Sequence, residues 1–377
     1  MIIVPVIVPF FVSKGLSLAE IFYLQAVYAT TIVLLEAPSG YFADLFGRKK
    51  LLIIGSGIHG LSYLLLNFAN SLESLLLFEI VLGIASSLLS GADLALLYDS
   101  QYAIGEDVNS EHSKGIANLG FCRSSAEGLG ALVGGILAMW SFDAMVLVQS
   151  AAASCCLVFA ISLTEPPRLA GDYSAKNTNI AYILRFMLAG DPMLRRIVVA
   201  IALYNLTTFL AAWLIQPYWE EQGLSLGVFG MLWCLQSFAT ASANKVGFSI
   251  ERKLGAVPAL VIIGVLPIAG HLGLALLDGG LGITFGLLLF LCRGLNQVIL
   301  VNALNRRVPS EFRATANSLT SFLFRFTFIV FGPLVGFIAQ SLSLTSAFLV
   351  LAAATVGLFV TVMHPLLKHV QSEKRAT

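Results

Sequence analysis

Gly40-Tyr41-Phe42-Ala43-Asp44-Leu45-Phe46-Gly47-Arg48-Lys49-Lys50 is the stretch on which the reading of the whole chain turns. It sets two glycines, one acid and three consecutive cations between long apolar runs. Gly40 and Gly47 permit a tight turn and a close approach of helices. Asp44 stands at a helix end, where a carboxylate accepts backbone N–H groups or pairs with a base such as Arg48. Three adjacent cations are costly to bury in hydrocarbon, so they mark one face of a membrane.

The composition supports lipid as the solvent. Of the 377 residues 58% are hydrophobic and only 11% are charged, against about 25% charged in an ordinary soluble domain. Such a chain cannot cover its own surface with polar groups, which excludes a soluble enzyme and a disordered protein. The 22 Lys and Arg balance 21 Asp and Glu, so no basic surface for nucleic acid exists. Cys122, Cys155, Cys156, Cys234 and Cys292 fall in apolar runs without metal-ligand spacing and are read as small buried hydrophobes. No metal or cofactor site is expected.

Apolar runs of the length a bilayer needs, about 20 residues, occur at 1–13, 17–39, 51–69, 73–97, 116–139, 143–163, 196–218, 226–246, 256–277, 281–304, 314–340 and 344–366. The fold class expected is therefore all-α integral membrane, with twelve transmembrane helices. The alternating 10-residue strands of a β-barrel are absent. The first run gives only about 20 Å of helix, and we expect a missing start. Arg48, Lys49, Lys50, Lys114, Arg168, Lys176, Arg185, Arg195, Arg196, Lys245, Arg252, Lys253, Arg306, Arg307, Arg313, Lys368, Lys374 and Arg375 fall on one side, and Lys14 alone on the other. By the positive-inside rule the C-terminus is cytoplasmic, in a cell inner (plasma) membrane.

The longest break lies between runs six and seven and carries Pro166-Pro167, Asp172 and Lys176, with an amphipathic helix expected near 180–188. It divides the chain into a six-helix bundle at 1–164, a cytoplasmic linker at 165–194 and a second bundle at 195–377. The halves look related. Arg123 precedes Gly130-Ala-Leu-Val-Gly134 by seven residues, and Arg325 precedes Gly332-Pro-Leu-Val-Gly336 by the same separation. Repeats across a central linker are a transporter feature, with the site between halves at mid-membrane.

The opening stretch resembles the G-x-x-x-D-x-x-G-R-[KR] loop signature of the major facilitator superfamily. Glu36-Ala-Pro38-Ser-Gly40 and Asn302-Ala-Leu-Asn305-Arg306-Arg307-Val-Pro309 with Arg313 fit in register, so the resemblance covers nearly the whole chain. It implies two pseudo-symmetric bundles that rock around a central cavity. It also implies that Gly40, Asp44, Gly47 and Arg48 form a conformational latch, Asp44 facing the start of span eleven and Arg48 pairing with Asp99 at the end of span four. The glycines of span five resemble an antiporter signature, with Ala126 and Ala131 where that signature has Gly and Pro. Many relatives carry R-x-x-x-G in span four, where this chain has Glu79-x-x-x-Gly83.

Intramembrane polar residues supply the candidate site. Glu79, Gly83, Ser86, Ser90 and Asp93 share one face of span four and should line a cavity or pack against another helix. Arg123 and Glu127 are helical neighbours at i,i+4; pairing or protonation lowers the cost of burying them. Glu127, Glu79 and Asp93 are the candidate proton carriers, and Arg123 and Arg325 the membrane counter-charges. Arg293, Asn296 and Gln297 share a face of span ten. Asn205, Thr208 and Gln216 share one on span seven. With Ser86 and Ser90 they are candidates for the substrate cavity, where Arg293 could meet an anionic group or neutralise Glu79 or Glu127. His59 and His271 are expected to hydrogen-bond neighbouring helices.

No phosphate loop is present and no catalytic constellation, so an enzyme is not expected. The leading expectation is a secondary active transporter working by alternating access, a monomer in the lipid bilayer. It would couple protons to export of a small-molecule substrate, a drug or metabolite. Uptake of an anionic nutrient or siderophore is the alternative, and a receptor or scaffold that transports nothing is the alternative of another class.

Overall fold

A membrane helix satisfies its own backbone groups, so it runs through lipid and on into water until a cap, a proline or a glycine of positive φ stops it. The computed structural model describes residues 1–103, 112–166, 191–308 and 313–376, and among them every regular element is helical. The helices are α1 (Ile7–Ser13, after a 3-10 turn at Val4–Val6), α2 (Leu18–Phe46), α3 (Arg48–Leu66), α4 (Leu72–Ala103), α5 (His112–Trp140) and α6 (Phe142–Ser162). They continue as α7 (Pro192–Glu221), α8 (Leu226–Leu254), α9 (Ala256–Leu276), α10 (Gly279–Arg307), α11 (Arg313–Ser341) and α12 (Leu344–Leu358). α12 passes through a π turn at Phe359–Met363 into His364–Ala376. The twelve helices match the twelve apolar runs. Among the described residues nine are long and apolar enough to cross a bilayer, namely α2, α4 and α6 to α12 with its extension. α1 is short, α3 opens on three cations, and α5 carries Lys114, Arg123 and Glu127.

The helices overrun the apolar runs, which corrects the reading of the opening stretch as a loop. Gly40 to Phe46 is the last part of α2, and Arg48 already begins α3. The whole connection is Gly47, at φ 97°, a conformation that side chains oppose. The same device recurs at Gly255, φ 88°, between α8 and α9. Elsewhere side chains start the helices. Ser17 and Glu20 form a reciprocal capping box on α2, and Asp191 accepts from Met193 N at 2.8 Å on α7.

Contacts divide the chain into two units, Met1–Ser174 with Ser225–Cys234, and Ala175–Leu224 with Leu235–Thr377. In the first unit α3 packs on both α4 and α6, and α2 on α4. Glycines of α5 allow backbone-close packing on two sides. A side chain at Gly134 would meet the carbonyl of Ile2, and one at Gly135 the carbonyl of Leu226 at 2.8 Å and Gly230 Cα at 2.9 Å. The linker expected at 165–194, with its amphipathic helix, lies largely outside the described residues.

In the second unit α7 is the innermost helix. Its most apolar window is 72% buried against protein, compared with 28–50% for the other candidate spans of the second half. Around it close α9, α10, α11 and α12. Pro267 interrupts α9 and cannot donate to the carbonyl of Ile263 one turn back. The Cys292 thiol of α10 donates to that carbonyl at 3.3 Å, which satisfies the freed acceptor from a neighbouring helix. Cys292 and Cys234 are buried as expected, but Cys122, Cys155 and Cys156 are exposed. In a membrane protein apolar surface need not be hidden from its solvent, so apolar context does not predict burial.

Candidate functional site

In the first unit the α4 stripe meets α2. Glu79 is 1% exposed, and Gln25 Nε2 donates to its Oε1 at 2.6 Å. One turn on, a Cβ at Gly83 would lie 2.7 Å from Thr31 Cβ, so the glycine lets the two helices touch. Tyr28 then donates from its hydroxyl to Ser86 Oγ at 3.0 Å. Of the two outcomes left open for this face, its Glu79–Ser86 part packs against a helix. Ser90 is exposed and donates to Ser87 O at 3.2 Å, and Asp93 is half-buried. Gln25 and Tyr28 were not singled out in the sequence. A glutamine inside an apolar span was the available signal.

Glu127 and Arg123 do not pair among the described residues. Glu127 is half-buried and accepts from Trp233 Nε1 at 3.3 Å, while Arg123 is exposed. Trp233 falls in the part of α8 that groups with the first unit. The arginine lies one turn earlier on α5 and is exposed, so its charged head avoids burial.

At the α2–α3 junction the acid that meets the helix end is Glu165. Its two carboxylate oxygens accept from Arg48 N at 2.9 Å and Lys49 N at 2.7 Å, capping a helix whose own N-cap, Gly47, has no side chain to offer. Asp44 and Asp99 belong to α2 and α4, and their side chains lie outside the described residues, as does the environment of Gly40.

In the second unit the expected residues of α7 and α10 converge in part. Asn296 is 1% exposed and donates from Nδ2 to Asn205 Oδ1 at 2.9 Å and to Ile201 O at 3.4 Å. Its Oδ1 is buried without a partner among the described residues. A π turn at Asn296–Leu300 begins here, a distortion that frequently marks functional positions. The adjacent Gln297 accepts from Asn244 of α8 at 3.3 Å, a residue the sequence reading passed over. The Arg293 guanidinium lies over the Phe209 ring at 5.8 Å, and Phe209 packs edge-on against Phe324 and Phe328, both at 5.3 Å. This contact is of cation–π kind. Thr208 turns back to carbonyls of its own helix. Gln216 is buried two turns further along α7, about 12 Å away along the axis. Arg325 is half-buried, its Nε enclosed without an acceptor among the described residues. His271 is fully buried with Nε2 at 3.3 Å from Thr207 O of α7, the neighbouring-helix bond expected of it. Among the described residues no group of three His, Cys, Asp or Glu is placed to hold a metal.

Among the described residues, twelve helices, polar groups buried between them and a repeated glycine joint define a multi-pass membrane protein. The family model described as Major Facilitator Superfamily matches residues 1–326, and the chain belongs to that superfamily. Its members are secondary transporters of small molecules, not enzymes. The chain is similar in fold to a mutant of the nucleoside transporter NupG, with a TM-score of 0.79 at 14% identity over 96% of this chain and 95% of that one. It is also similar to a bacterial homologue of the human lysosomal transporter Spinster, solved inward-facing and unoccupied. That match has a TM-score of 0.77 at 14% identity over 98% of this chain and 93% of the other. No curated protein matches in sequence.

Proposed function

We propose that the chain is a proton-coupled exporter of a small drug or metabolite, working by alternating access in a cell inner membrane with its C-terminus cytoplasmic. The observation that carries the coupling is Glu79. It is enclosed between α2 and α4 with a neutral amide, Gln25, as its hydrogen-bond donor. A carboxyl so enclosed loses its hydration, and binding a proton relieves the cost of its charge. Glu127, half-buried beside Trp233, is a secondary carrier, and Asp93 a third. In the second unit substrate meets Arg293, Asn205, Asn296 and Gln297, with Thr208 and Gln216 further along α7; in the first unit Ser90 is the exposed candidate on α4, while Ser86 is held by Tyr28. Gly40, Asp44, Gly47, Arg48 and Asp99 latch one state, and Arg325 serves as a membrane counter-charge, whereas Arg123 is exposed and does not pair with Glu127 among the described residues. The chain acts as a monomer.

Uptake of an anionic nutrient is the second reading, favoured by the stacked Arg293 and by the Arg325 Nε that lacks an acceptor among the described residues. The test is proton movement in proteoliposomes against cationic drugs, organic anions, siderophores and nucleosides, the last because one structural neighbour is a nucleoside transporter. Export coupling predicts substrate-dependent proton flux opposite in direction to substrate. Glu79→Gln should abolish proton flux while leaving substrate binding within about threefold. Normal coupled flux in that variant would remove Glu79 from the scheme.

A further inference from the structure

The end of the second unit carries an open pocket with two cations, Arg196 and Lys368, in its lining. From Leu344 to Met363, α12 and its π turn span about 30 Å, the thickness of the hydrocarbon core. The extension His364–Ala376 therefore begins where the hydrocarbon ends. It is amphipathic: Leu366 and Leu367 are buried in the core with Met193, Leu194 and Ile197 of α7, while Lys368 is exposed. Beside that seam an open cavity of about 370 Å³ is lined by Arg196, Pro365, Lys368, His369 and Ser372. Arg196 comes from the second turn of α7 and is half-buried, between the buried Leu194 and Ile197. Two cations from different helices thus converge on one cavity at the depth of lipid headgroups, and among the described residues no acid lines it.

We propose that this cavity binds the phosphate of an anionic phospholipid and so fastens the C-terminal extension to the membrane surface. The recognising chemistry is a phosphate oxygen between the Arg196 guanidinium and the Lys368 ammonium, with His369 and the Ser372 hydroxyl at the rim. The aliphatic stems of Lys368 and Arg196 and the ring of Pro365 offer apolar surface to the lipid's glycerol end. A membrane lipid rather than a dissolved phosphate is the occupant, because the cavity opens at the hydrocarbon edge, where anionic headgroups are concentrated.

The experiment uses the full chain in nanodiscs of phosphatidylcholine containing 30% phosphatidylglycerol, with retained lipid counted by native mass spectrometry after detergent extraction. Wild type should retain phosphatidylglycerol in preference to phosphatidylcholine. The double variant Arg196→Gln/Lys368→Gln should bind it about 30-fold more weakly, the effect of two surface cations. The control pair Arg252→Gln/Lys253→Gln lines no part of the cavity and should change retention less than about threefold. Equal loss in both pairs would mean diffuse surface charge and would overturn the site. Absence of any preference in wild type would overturn it as well. Displacement of the lipid by millimolar inorganic phosphate would assign the cavity to a dissolved anion and overturn the lipid reading. Each variant is accepted only if it elutes as a single monodisperse peak.

Discussion

Replacing Glu165 should loosen the start of α3 by an amount that the geometry sets. The first N–H groups of a helix have no partner within it. Here Gly47 supplies no side chain, and Leu51 N is the first to bond back, to Gly47 O at 3.3 Å. Glu165 takes two of the remaining donors, at 2.9 and 2.7 Å. It also places a negative charge at a dipole end that the sequence loads with Arg48, Lys49 and Lys50. Losing a cap costs about 0.5–2 kcal/mol, and losing an anion at a helix start about 0.3–1 kcal/mol. Glu165→Ala should therefore destabilise the local turn by about 1–3 kcal/mol, a factor of about 5 to 150 in opening. Glu165→Gln keeps one acceptor oxygen and exchanges the other for a group that cannot accept, so its effect should be smaller, about fivefold. Hydrogen–deuterium exchange over residues 48–52, read by mass spectrometry, measures this directly. The expected order of exchange is Ala faster than Gln, faster than wild type, with α9 unaffected as an internal reference. Unchanged protection in Glu165→Ala would refute the capping argument.

Three further outcomes follow from contacts already described. Gly230→Leu should lower thermal stability by about 1–3 kcal/mol and reduce transport, since a Cβ there lies 2.5 Å from Ala131 O and 3.0 Å from Gly135 Cα; Gly230→Ala should shift both in the same direction, and a silent Leu variant would show that the crossing is loose. Cys292→Val should cost about 0.5–1 kcal/mol by removing the donor to Ile263 O, whereas Cys292→Ser should keep stability near wild type; equal melting temperatures for Val and Ser would refute the account of the Pro267 carbonyl. Gln25→Leu should cost about 1–3 kcal/mol by leaving Glu79 without the amide that donates to it, and adding Glu79→Leu should recover most of that loss, a recovery that a thermal double-mutant cycle reads and whose absence would sink the pairing.

The sequence by itself determined the membrane class, the twelve helices and the family. Apolar length and charge placement are local properties, and lipid allows few solutions to them. It also located Glu79, Glu127, Arg293 and Asn296 as groups that hydrocarbon would not accept alone. What it could not decide was which partners meet them, because a partner is chosen across space. Gln25 reaches Glu79 from another helix, Trp233 reaches Glu127 from a distant one, and Glu165 caps a helix that starts 117 residues earlier. Helix ends escaped it too. An apolar run records where lipid begins and ends, but the backbone stays helical until Gly47 or Gly255 turns to positive φ, so the apparent loop at Gly40–Lys50 became two helices joined by a single residue.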